Sequence, residues 1–69
     1  MRVLGIDPGT RCTGWGLVER RGSRLVGVEA DVVRTSDKAA LETRLRTIYD
    51  GLVEVVGRLE PEAIAVEDV

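Results

Sequence analysis

The sequence predicts an α/β fold, a mixed four-stranded sheet in the order 3-2-1-4 with one long helix between the third and fourth strands. Three observations carry this reading. The apolar run Val3-Leu4-Gly5-Ile6 delivers Asp7 into a Pro8-Gly9 turn, and a second apolar run, Ala63-Ile64-Ala65-Val66, again ends in an acid, Glu67. Between them two strand-like stretches flank Arg21-Gly22-Ser23, which reads as a hairpin turn. From Leu41 the hydrophobic period changes to steps of three and four, the stripe of an amphipathic helix.

Taken in order, residues 2–7 are apolar on both faces and carry no helix-start signal, the pattern of a central strand. Residues 13–20 place Trp15, Leu17 and Glu19 on one side and Gly14, Gly16 and Val18 on the other, so Trp15 is expected in the core. The glycines of that strand leave room for a backbone or ligand to approach. Gly5 is read the same way, and Gly9 as a turn residue. Residues 24–34 return as a Val-rich third strand, completing a meander. The stripe Leu41, Leu45, Ile48, Leu52, Val55, Val56 and Leu59 then defines the helix, with Tyr49 expected to pack and Ser36 and Asp37 as candidate N-caps. Glu60-Pro61 stops it, because proline disfavours helical geometry in the residue before it and has no N–H to donate.

Residues 62–67 form the fourth strand. A right-handed crossover places it parallel to the third strand and beside the first. Pairing in register then puts Val3, Gly5 and Asp7 on one face with Ala63, Ala65 and Glu67, and Leu4, Ile6, Ile64 and Val66 on the other. The bulkier face suits the helix. Strands one and four read as buried on both sides, yet one helix cannot cover two faces. The 69 residues are therefore expected to form the N-terminal portion of a single longer domain, or to depend on oligomerisation.

Composition sets further bounds. Sixty-nine residues at 43% hydrophobic content suffice for one small domain. A chain of that size buries only about 60% of its unfolded surface and is marginal alone. There is no long apolar run and no basic-then-apolar leader, so no membrane association and a cytoplasmic location are expected. Cys12 is the single cysteine and histidine is absent, which excludes an internal disulfide and a Cys/His metal or catalytic pair. Cys12 is read as a small packing residue. The net charge of −2 argues against a generic basic nucleic-acid module. The charge is uneven, however: six Arg against four acids in residues 1–34, four bases against eight acids in residues 35–69. The preponderance of Arg suits bidentate phosphate contact.

Asp7 and Glu67 are the candidate catalytic and metal-binding residues. Carboxylates ending neighbouring strands, about 4.8 Å apart, repel each other unless a cation lies between them. Mg²⁺ suits such a site, taking hard oxygen ligands and being shared with substrate phosphates. Two ions held together activate water and stabilise the leaving oxygen of a phosphodiester, an arrangement that needs more acids than these two. The bare spacing also fits a plainer account, with Asp7 initiating a turn before Pro8 and Glu67 an ordinary strand-end acid.

Gly5-Ile6-Asp7-Pro8-Gly9-Thr10-Arg11 with Thr13-Gly14-Trp15-Gly16, then Arg44-Leu45, Ile48-Tyr49, Pro61-Glu62 and Ala65-Val66-Glu67, resembles the start of the RuvC family, Holliday-junction resolvases of the RNase H-like superfamily. The resemblance spans essentially the whole chain and is weakest in the hairpin between Val18 and Val33. It implies an RNase H-like sheet and a metal-dependent endonuclease that resolves four-way DNA junctions by paired nicks. Asp7 and Glu67 match two members of the family's acid cluster, binding Mg²⁺ with Mn²⁺ as an alternative. It implies a homodimer working with the branch-migration proteins RuvA and RuvB. Thr10 and Arg11, after Asp7, become candidate DNA-phosphate contacts. The family's remaining metal ligands lie on a C-terminal helix absent from these residues, so the chain by itself is expected not to cleave.

Three rival readings stand beside this one. Actin-like ATPases and sugar kinases also end their first strand in Gly-Ile-Asp-x-Gly-Thr and use the loop to hold a nucleotide phosphate. Pro8, Arg11 and the early arrival of Glu67 after one helix count against them. A small resolvase-like family shares an Asp-x-Gly opening but fits Trp15-Gly16-Leu17 less well. The third is a non-catalytic fragment of the fold.

Overall fold

The computed structural model describes residues 1–67 and forms β1 (Arg2–Asp7), β2 (Cys12–Arg21), β3 (Arg24–Arg34), α1 (Leu41–Leu59) and β4 (Ala63–Val66). The sheet order is β3-β2-β1-β4, as the sequence predicts. β1 and β2 pair antiparallel with Leu4 opposite Leu17 and Ile6 opposite Trp15. β2 and β3 pair antiparallel through the turn at Gly22, whose φ of 65° is the left-handed conformation glycine adopts without penalty. A bulge between Leu17 and Val18 shifts the outer half of that register.

Helix α1 ends because Glu60 takes the left-handed conformation, φ 48° and ψ 59°, donating its N–H to the Val56 carbonyl before Pro61. Its start differs from expectation. The N-cap is Ala40, without a side-chain cap, and neither Ser36 nor Asp37 serves. Ser36 is engaged earlier: its hydroxyl accepts the Lys38 N–H at 3.2 Å and its carbonyl accepts that of Ala39 at 3.1 Å, forming a separate turn.

The core lies between one sheet face and the C-terminal half of the helix. Leu4, Trp15 and Leu17 from the sheet meet Val55 and Leu59, with Ile6, Val33, Leu52 and Val56 packed around them. The helix leans toward β3. A Cβ added to Gly51 would lie 2.9 Å from a Val33 methyl, so glycine permits the close approach there. Arg58 also grips Glu29 of β3 in a two-pronged ion pair at 2.8 and 3.1 Å.

That lean overturns several packing expectations. Tyr49 is exposed, as are Leu41 and Leu45, because the amino-terminal half of α1 stands away from the sheet. Ile64 and Val66 share the helix-side face by register yet remain exposed, so β4 is uncovered on both faces rather than one. Cys12 is exposed, not packed. It is one residue from buried Thr13, and alternation turns it to the face without a helix.

The Arg58 partnership lowers the Glu29 pKa from its ordinary 4.5, chiefly through the hydrogen bonds. A carboxyl depressed in the folded state stabilises the fold above its unfolded pKa and loses that contribution as pH falls through the folded one. Arg58→Ala is therefore expected to make the acid limb of stability shallower below about pH 4.5, read as urea midpoints against pH. In the core, Leu4→Ala is expected to cost about 2–5 kcal/mol in the same unfolding assay.

Candidate functional site

Asp7 ends β1 because Pro8 cannot extend the ladder, and the chain must turn there. The turn is held from beneath. The buried Thr13 hydroxyl donates to the Gly9 carbonyl at 2.8 Å and accepts the Gly9 N–H at 3.3 Å. Gly9 is needed for closeness rather than for turn dihedrals: a Cβ there would lie 2.5 Å from the Cys12 carbonyl oxygen, and its φ is not left-handed.

Glu67 arrives from the opposite end of the sequence. β4 pairs parallel to β1 with Gly5 opposite Ala65 and Ile6 opposite Val66. The Glu67 N–H continues the ladder to the Ile6 carbonyl at 2.9 Å. At the other end of the pair the Glu62 N–H bonds the Arg2 carbonyl at 2.9 Å, and the Arg2 N–H bonds the Glu62 carboxylate at 3.1 Å, so both ends of the register are pinned. Asp7 and Glu67 therefore occupy corresponding positions, each one residue past the last pair, on strands about 4.8 Å apart and on the face away from α1.

Both acids are exposed and line one open cleft of about 360 Å³, whose floor is made by Gly5, Gly14, Gly16 and Ala65. Among the described residues neither carboxylate has an ion-pair partner. The donor set is two hard oxygen groups without thiolate or imidazole, which suits a hard divalent cation. Among the described residues there is no cluster of three or more His, Cys, Asp or Glu side chains that could hold a metal ion.

Thr10 and Arg11 are placed differently. Thr10 lines a separate depression of about 270 Å³ with Pro8, Thr13, Leu45 and Ile48, on the helix side. Arg11 is exposed and lines neither hollow. Both are anchored by Thr35, whose hydroxyl donates to the Thr10 carbonyl and whose N–H donates to the Arg11 carbonyl at 3.0 Å. The sequence reading missed Thr13 and Thr35. Parity held a clue to the first: position 13 falls on the same strand face as Trp15 and Leu17, and a hydroxyl buried there needs a partner.

A family model described as crossover junction endodeoxyribonuclease RuvC matches residues 3–69. The crossover junction endodeoxyribonuclease RuvC of Trichlorobacter lovleyi is 54% identical over 69 residues, covering 100% of this chain and 39% of that protein. The Mesorhizobium japonicum protein of the same name is 52% identical over 67 residues, 97% of this chain and 40% of its own length. Among solved structures, T. thermophilus RuvC in complex with Holliday junction substrate superimposes with a TM-score of 0.89 at 38% identity, covering 99% of this chain and 42% of that one. The Aquifex aeolicus Ppx/GppA phosphatase, at 20% identity and TM-score 0.75, shares the fold. The chain thus spans about two fifths of the length of the relatives it matches. The kinase-like alternative is not favoured by these similarities.

Thr13→Val keeps the shape of the side chain while stranding the Gly9 amide and carbonyl. It is expected to cost about 1–3 kcal/mol in urea unfolding, the range for a buried group left unsatisfied. Faster hydrogen exchange at the Gly9 amide is the local sign to measure.

Proposed function

Since the chain belongs to the RuvC family of crossover junction endodeoxyribonucleases, we propose that it supplies the first half of a metal-dependent site that resolves four-way DNA junctions by paired nicks. The observation that carries this reading is the β1–β4 register, which sets Asp7 and Glu67 side by side on one face at the rim of one cleft. The remaining acid ligands belong, in this reading, to the part of the protein corresponding to the relatives' other three fifths.

Asp7 and Glu67 are the residues that would hold the cation, Mg²⁺ or in its place Mn²⁺. When bound, the metal supplies an activated water and charge stabilisation for the leaving oxygen of the phosphodiester. The protein's own part is positional. The pinned strand ends fix both carboxylates, and the Gly9–Thr13 bonds keep the loop after Asp7 from shifting. The glycine and alanine floor lets a nucleic-acid backbone approach the acids without meeting a bulky side chain. Thr10 and Arg11, in the loop after Asp7 that Thr35 holds, contact DNA phosphates outside the cleft, Thr10 from the helix side.

The same reading assigns a homodimer, because paired nicks across a symmetric junction need two equivalent sites. It also assigns co-operation with RuvA and RuvB and a cytoplasmic location. Among the described residues no helix is long and apolar enough to cross a membrane.

The full-length protein incubated with a four-way junction and Mg²⁺ is expected to give paired nicks. Asp7→Asn and Glu67→Gln should each slow nicking by on the order of 10²–10³-fold, because each weakens the hold on the cation that stabilises the developing charge. Junction binding in gel shift should survive both changes. Nicking at the parental rate by either variant removes that residue from the mechanism.

A further inference from the structure

The ten basic side chains are not equivalent. Arg2 and Arg21 pair with Glu19, Arg46 with Asp50, and Arg58 with Glu29 and Glu54. Arg20 donates to the Gly22 carbonyl. Most of this neutralisation falls at the hairpin end of the sheet or along the helix. Arg34, at the opposite end of β3, has no ion-pair partner among the described residues and is exposed.

Register fixes which way it points. Val33 lies opposite Thr13 and packs with it on the helix side, so Arg34, opposite Cys12, belongs to the other face. That is the face of Asp7 and Glu67. Asp7 pairs with Gly14 and Gly14 with Val32, so Arg34 sits two strands from Asp7 and two residues further toward the rim. This separation is roughly 10 Å across the sheet and roughly 7 Å along it. On that face Cys12, Val32 and Gly14 lie between Arg34 and Asp7, and beyond Gly14 the ground falls to the glycine floor of the cleft. The hydrogen bonds from Thr35 to the Thr10 and Arg11 carbonyls tie the end of β3 to the loop carrying Arg11.

We infer that Arg34, fixed beside Arg11 by the Thr35 bonds, is a DNA-phosphate-binding residue that grips the strand being cut at a phosphate flanking the one presented to Asp7 and Glu67. The inference rests on the nuclease reading above. Arg34 supplies a planar fork of donors that remains charged at any working pH. The acids hold cations and so cannot hold phosphate themselves; a guanidinium across the glycine floor provides the complementary charge and sets the direction in which the strand lies. A strand crossing the sheet from β3 toward β4 meets Arg34 first and the two carboxylates second.

The test is the salt dependence of junction binding by the full-length protein, measured by fluorescence anisotropy in EDTA between about 50 and 200 mM salt. Each lost phosphate contact lowers the steepness of log K against log salt by about 0.9. Arg34→Ala is expected to show that decrease and roughly tenfold weaker binding at the low-salt end. Arg34→Lys should recover most of the slope, since it keeps the charge. Arg24→Ala, at the hairpin end, should leave the slope at the parental value. A parental protein that binds and nicks the junction while Arg34→Ala keeps the parental slope overturns this inference alone. A parental protein with no affinity for the junction overturns the nuclease reading and this inference together.

Discussion

The parallel pairing of β1 with β4 is the constraint from which the site follows. Ladder bonds between the two strands, extended at one end by the Glu62–Arg2 exchange and at the other by the Glu67 N–H, leave no slack in register. A slip of one residue would turn Glu67 to the helix side and separate the acids across the sheet, because side chains alternate faces. Everything between, including the meander and the 19-residue helix, serves to return the chain to the edge of its first strand.

Energetically the support is one-sided. Five buried hydrophobic residues form the core, and all lie between one sheet face and one half of a helix. The cleft face has nothing comparable, and its floor of glycine and alanine buries little apolar surface. The polar bonds of the Asp7 loop matter correspondingly more. Thr13 links the two regimes, its side chain sitting in the core while its hydroxyl holds the loop that ends at the cleft.

Much of this was legible from residues alone because it depends on period and punctuation. Apolar runs ending in an acid gave β1 and β4, alternation gave β2, the Pro61 stop gave the helix end, and parity gave the shared face of Asp7 and Glu67. The features that were not legible depend on contacts between distant segments. The lean of α1 toward β3, set by Gly51 against Val33 and by Arg58 on Glu29, left Tyr49, Leu45 and Ile64 exposed despite their place in apolar patterns. The helix start was misplaced because Ser36 is a good cap by type but is used in a turn of its own. Thr35 gave no signal, since its two bonds reach residues 10 and 11 across the sheet. The roles of Asp7 and Glu67 are matters for the variants above, while their placement, like that of Thr10 and Arg11, is fixed by the fold.

The order of the strands also has a bearing on how the protein is made. β1 sits inside the sheet, yet the neighbour on one of its sides is encoded more than fifty residues later. Translation at about 5–20 residues per second leaves that edge open for some seconds after the meander has emerged from the ribosome. During this interval an apolar strand with unsatisfied amides is presented to any extended segment nearby, including the same segment on a neighbouring nascent chain. Arrival of β4 closes this hazard and completes the pair of acids in a single event, so a molecule that has escaped misassociation at this edge is also one whose cleft has formed.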